Sequence, residues 1–171
     1  MSKRCRLVFT GPESTGKSYL TNLVAVNFGF HQVDEYARVF LSQFNRDYNL
    51  EDLREIEKGQ QIAEQQAIAS NEVIVQDTDF LTLWIWYNYK YGLYPERVYE
   101  YLLDHRPDHY FLCYPDILWE EDPLRENPND RDELYMLYQN EIEKLDVSYS
   151  VIKGSFVERR DSVFSILEEM L

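Results

Sequence analysis

Eight consecutive residues restrict this chain more than any others. Gly11-Pro12-Glu13-Ser14-Thr15-Gly16-Lys17-Ser18 matches the pattern G-x-x-x-x-G-K-[ST] in full, directly after an apolar run, Arg4 to Thr10, and directly before a helical pattern, Lys17 to Phe28. A strand, a tight loop of small residues and a helix in that order let successive backbone N–H groups curl around phosphate oxygens, while the helix N-terminus adds partial positive charge. The expected nucleotide-binding set is Gly11, Glu13, Ser14, Thr15, Gly16, Lys17, Ser18 and the adjoining Tyr19, with Lys17 reaching the outer phosphates and Ser18 ligating magnesium. The motif specifies a nucleotide and leaves the reaction open.

The rest of the chain repeats the alternation that the loop begins. Runs of strand length occur at Arg4 to Thr10, Phe30 to Asp34, Glu72 to Gln76, His109 to Cys113 and Val147 to Ile152. Continuous apolar stretches such as Val73-Ile74-Val75 suit strands buried on both faces. Between them lie helical patterns: Lys17 to Phe28 stopping at Gly29; a long one capped by Asn49 and striped by Leu53, Ile56, Ala63 and Ala67; Phe80 to Tyr91 before Gly92; one opened by Pro95; Arg131 to Lys144 capped by Asp130; and Glu158 to Leu171. The fold class predicted is α/β of the P-loop type, a three-layer α/β/α arrangement around a five-stranded parallel sheet. Residues 1–171 read as one domain, with 44% apolar residues to fill one core.

Charge narrows the partners. Against 17 Lys and Arg stand 31 Asp and Glu, a net −14 that opposes nucleic acids and anionic membranes. The longest run free of charged residues, Ser18 to Val33, contains Thr21, Asn22, Asn27, His31 and Gln32, which is no membrane span. The basic start, Met1 to Arg6, is followed only by Leu7-Val8-Phe9 before a glycine turn, too short for an export signal. Cys5 and Cys113 sit in strand-like runs as small core residues, so the cytoplasm is the expected compartment. From Pro115 to Asp146 the chain carries 3 basic and 11 acidic residues, and its proline-rich first part, about 115–131, reads as a mobile lid or an acidic surface loop.

In doubly wound sheets ligands gather beyond the carboxyl ends of the strands, which singles out a few acids. Asp77 ends Val73-Ile74-Val75-Gln76 as a Walker B aspartate does, positioned to hold magnesium beside Ser18, or else to cap the following helix. Asp79 either contacts a substrate hydroxyl or caps the helix from Phe80. Glu35 follows the second strand, and Tyr36-Ala37-Arg38 forms a helical turn that returns a guanidinium to the same edge. Glu35 is a candidate proton acceptor for an attacking hydroxyl, with Asp34 as competitor and a surface pair with Arg38 as the alternative. Phe80 to Tyr87 is apolar on too many sides for one sheet face, so a second face lines a pocket or a subunit contact, and a homo-oligomer is among the arrangements this allows. Trp119 stands in a polar segment, where it either stacks on a flat base or packs the loop.

Taken with these acids, Gly11 to Ser18, Glu35-Tyr36-Ala37-Arg38, Gly59, Asp77-Thr78-Asp79-Phe80, and Trp119 with Asp122, Leu124 and Arg125 resemble the ribosylnicotinamide kinase domain of NadR-type proteins, a branch of the P-loop nucleoside kinases. Leu118 stands where that family has proline, and Pro123 where it has glycine. The resemblance implies Mg·ATP-dependent phosphorylation of nicotinamide riboside to nicotinamide mononucleotide. Magnesium would sit at Ser18 and Asp77, Glu35 would face the hydroxyl, Arg125 would be a catalytic lid arginine beside Lys17, and Arg38, Asp79 and Trp119 would meet the substrate. Two other readings stay open: a kinase for another nucleoside or nucleotide, and an ATP-binding switch without a metabolic product.

Overall fold

The structure is a computed structural model that describes residues 4–171; Met1, Ser2 and Lys3 of the basic start lie outside the described residues. Five parallel strands, β1 (Cys5–Thr10), β2 (His31–Val33), β3 (Val73–Asp77), β4 (His109–Cys113) and β5 (Tyr149–Ile152), form one sheet in the order β2-β3-β1-β4-β5. Seven helices connect and follow them: α1 (Lys17–Phe28), α2 (Tyr36–Leu41), α3 (Leu50–Ser70), α4 (Phe80–Tyr91), α5 (Glu96–Asp104), α6 (Arg131–Leu145) and α7 (Phe156–Met170).

Side chains on β1 alternate between two cores. Leu7 and Phe9 join Leu20 and Val24 of α1 and Val163 and Leu167 of α7 on one face. Val8 joins Ile56, Phe80 and Ile142 from α3, α4 and α6 on the other. Helices therefore cover both faces, and the sheet is buried as its apolar strands require. Because β3 and β4 flank β1 on opposite sides, the strand order reverses at the carboxyl end of β1, which is where the phosphate loop lies.

Local signals account for most boundaries. α1 and α4 stop at Gly29 and Gly92, both left-handed, and α3 begins with an Asn49–Asp52 capping box. Four details depart from expectation. α2 is a helix of six residues rather than a single turn. α7 starts at Phe156, two residues early, because Ser155 and Glu158 form a capping box. Asp130 precedes α6 without a side-chain cap bond. Residues 114–130 contain no helix or strand, yet they are tied to the loop below them by the bonds described next.

Candidate active site

Gly11 cannot be replaced without cost: at φ 126° it passes so close to β4 that a Cβ would lie 2.7 Å from the Cys113 carbonyl oxygen. The loop then turns through left-handed Ser14 and Gly16 into α1. Thr15 Oγ1 and Lys17 Nζ both donate to the Pro12 carbonyl, at 2.8 and 2.6 Å. Arg159 of α7, fully buried, donates to the carbonyls of Thr15 (3.0 Å), Gly154 (2.7 Å) and Tyr114 (2.9 Å) and pairs with Asp116. A buried guanidinium with every arm engaged fixes the loop from behind.

Asp77 ends β3 beside that loop, 5% exposed and hydrogen-bonded to Ser18, while its Oδ1 has no partner. An orphaned buried carboxylate oxygen next to a hydroxyl suits magnesium, which takes one or two carboxylates and completes its shell with phosphate oxygens and water. Among the described residues no three His, Cys, Asp or Glu converge on a metal position, so phosphate oxygens and water would have to supply the remaining ligands. Glu35 stands at the N-cap position of α2 without a side-chain cap bond. Tyr36 fixes it: its backbone N–H donates to Gln60 at 3.1 Å and its ring lies flat on Gly59, where a Cβ would come within 2.0 Å. Arg38 bridges Glu35 (3.8 Å) and Asp122 of the 114–130 segment (2.9 Å).

Two cavities meet here. The larger, about 560 Å³, runs along the loop from Tyr19 and Phe156 past Ile117, Arg125 and Arg38. The smaller, about 340 Å³, is lined by Tyr48, Thr78, Thr82, Tyr89 and Tyr138. Glu13, Lys17, Glu35 and Trp86 line both. The segment 114–130 closes over them: Glu13 accepts from the backbone N–H groups of Glu126 and Asn127 (3.1 and 2.9 Å), Ser14 Oγ from that of Glu120 (3.0 Å), and Lys90 pairs with Glu126 at 2.8 Å.

The residues singled out in the sequence divide accordingly. Glu13 to Tyr19, Glu35, Arg38 and Arg125 come together around the larger cavity, Gly11 lines the smaller one, and Asp77 stands at the loop. Asp34 is exposed and held by Gln32, away from the cavities. Asp79 is not brought to them either. It is 2% exposed, caps α4 through the Leu81 N–H, accepts from Tyr110 (2.7 Å) and pairs with buried Arg6 at 3.4 Å. Nor is Trp119, whose ring lies 6.0 and 5.8 Å from the guanidinium groups of Arg125 and Arg131. Trp86 takes the place at the cavities, stacked on Tyr48 at 5.6 Å. Its signal was present as spacing: Thr78, Thr82, Trp86 and Tyr89 recur at helical intervals after Asp77.

Burial and the charge of Asp77 push the Glu35 carboxyl from 4.5 up to about 7, against the opposing pull of Lys17 and Arg38. Between those values the unfolded chain has released this proton and the folded chain still holds it, so stability falls as pH rises through the window. In metal-free protein Glu35→Gln should remove that share, up to about 3 kcal/mol between pH 4.5 and 8. Urea midpoints at the two ends of the window measure it. Equal slopes for both proteins would mean that Glu35 is solvated like a surface acid.

The family described as AAA domain matches residues 6–159 of this chain. Two solved structures of NadR protein, one in complex with NAD and AMP-PNP and one in complex with NR, share its fold with TM-scores of 0.75 and 0.74 at 20% identity. Each alignment covers 96% of this chain and 49% of the other, so the chain spans about half the length of NadR. Thymidylate kinase from Ehrlichia chaffeensis aligns with a TM-score of 0.69 at 14% identity, over 96% of this chain and 99% of its own. Deoxyadenosine kinase from M. mycoides gives 0.65 at 12%, over 97% and 100%. These likenesses establish the shared three-layer fold. No curated protein matches the sequence at a significant level. Among the described residues, no helix is long and apolar enough to cross a membrane.

Proposed function

The chain belongs to the AAA domain family, and from that premise we propose that it is an ATP-dependent kinase whose acceptor is the hydroxyl of a nucleoside, with nicotinamide riboside the favoured candidate. One observation carries the reading: a cavity along the phosphate loop and a second, aromatic cavity share a wall made of Lys17 and Glu35. A donor phosphate held by the loop and an acceptor in the smaller cavity would meet at those two side chains, and phosphoryl transfer needs little more than such positioning and charge.

In this account the loop N–H groups and Lys17 orient the β and γ phosphates, Glu35 takes the proton of the attacking hydroxyl, and Arg125 brings positive charge from the lid segment. Ser18 and Asp77 would hold magnesium, which supplies charge on the phosphate oxygens when bound. The acids around Lys17 also favour a nucleoside over a nucleotide. A phosphate acceptor arrives ionised and needs no base, and its two charges would face Glu13, Glu35 and Asp77; a hydroxyl carries a proton to lose and no charge. Among the described residues, the only cation lining the smaller cavity besides Lys17 is Lys90, already engaged by Glu126 and lying 3.4 Å from the Tyr48 ring centre. ADP release should therefore rise with added nucleosides and not with their 5′-monophosphates. The reverse preference would reject this acceptor class.

Nicotinamide riboside is supported by the wall chemistry: Trp86 and Tyr138 offer aromatic surface, and Glu13 offers negative charge to a cationic ring. A contact of this kind contributes roughly 0.5 to 2 kcal/mol, so Trp86→Ala should reduce the preference for nicotinamide riboside over uridine by about two-fold to thirty-fold. Trp119→Ala should leave that preference unchanged. Ratios of kcat/KM decide, and the opposite pattern would return ring recognition to Trp119.

A further inference from the structure

Between the two buried aspartates that end β3 and begin α4 lies a threonine in a conformation threonine avoids. Thr78 has φ 61°, in the left-handed region where a β-branched residue is an outlier and glycine is at ease. The turn itself is needed, because it sends Asp77 toward Ser18 and Asp79 down to Arg6 and Tyr110. Glycine would make it without strain.

What threonine adds is a side chain at the acceptor. Thr78 is 4% exposed, yet it lines the smaller cavity together with Lys17 and Glu35. Its backbone is anchored, the N–H donating to the Phe9 carbonyl of β1 at 2.9 Å, whereas its hydroxyl has no hydrogen-bond partner among the described residues. A strained residue with an unspent hydroxyl in the wall of a cavity is strain kept for a ligand.

We propose that Thr78 is a specificity residue for the acceptor sugar, its hydroxyl hydrogen-bonding one of the 2′ and 3′ hydroxyls of the acceptor ribose. The inference rests on the nucleoside kinase reading above and adds the sugar class: ribosides over the corresponding deoxyribosides. A site built to bond a hydroxyl rejects an analogue that lacks it, because the protein group is then left unpaired.

Two variants separate this from packing. Thr78→Val keeps shape, branching and strain and deletes only the hydroxyl; Thr78→Gly removes the strain as well. With ATP saturating, wild type should prefer a riboside to its 2′- or 3′-deoxy analogue by about ten-fold in kcat/KM, and both variants should lose most of that preference by using the riboside worse, with KM for ATP unchanged. Thr78→Gly should melt at or above the wild-type temperature. A Thr78→Val enzyme that keeps the full sugar preference overturns the inference whatever Thr78→Gly does. A wild type that neither phosphorylates nor binds any nucleoside, by calorimetry, removes the kinase reading and this inference together, whereas an active wild type with indifferent variants removes this inference alone.

Discussion

Glu35→Gln is expected to lower kcat by about two to three orders of magnitude while leaving KM for ATP within a few-fold of wild type. The substitution preserves size and hydrogen-bonding capacity and deletes the proton acceptor, so the loss falls on the chemical step. ATP binding is assigned to backbone groups and Lys17, which the change does not touch. The raised proton affinity of Glu35 fits the task, since an acceptor near neutrality holds a proton more readily than an ordinary carboxylate. Asp79→Asn is the control: burial pushes Asp79 up to about 6, but its partners are Arg6, Tyr110 and the α4 N-terminus, so that variant should lose stability before chemistry. Should stable Asp79→Asn protein lose kcat while Glu35→Gln keeps it, the two roles are exchanged.

Lys17→Ala is expected to reduce transfer by at least about a thousand-fold, the scale on which a charge poised at transferring phosphates acts. The fold should survive. Among the described residues Lys17 Nζ bonds only the Pro12 carbonyl, and the loop keeps its glycines, the Thr15 hydroxyl bond and Arg159 behind it. Circular dichroism and a melting temperature within about two degrees of wild type would show that activity, not folding, was lost. Turnover above about a tenth of wild type would contradict the assignment of the loop to the donor phosphates.

The sequence revealed what is local. Gly29, Gly92 and Asn49 mark helix ends because their conformational or capping preferences act within a few residues, and the phosphate loop carries its own strand and helix. Contacts from far along the chain stayed hidden. Asp79 caps α4 and lies outside both cavities, held beside buried Arg6, 73 residues earlier, and no spacing announces that pair. Trp119 turns to Arg125 of its own segment and to Arg131 at the start of α6, whereas composition presented a polar loop with a stray aromatic. α4 is apolar all round because α3, α5 and α6 pack against it while Thr82, Trp86 and Tyr89 line the cavities, so its hydrophobic pattern pointed to a further face without saying which residues it carries. Gly59 matched a family pattern without a reason; the reason is the Tyr36 ring lying on it, which sets where Glu35 stands.

The central claim is that the two cavities meeting at Lys17 and Glu35 bring ATP and a nucleoside hydroxyl together. Its most direct test follows the label from γ-labelled ATP, with magnesium, in separate reactions containing nicotinamide riboside, uridine, cytidine, thymidine 5′-monophosphate or no acceptor. The account predicts label in a nucleoside 5′-monophosphate, formed fastest from nicotinamide riboside, with little release in the absence of acceptor. Label appearing only as inorganic phosphate at a rate indifferent to acceptor, or passing only to thymidine monophosphate, would contradict it.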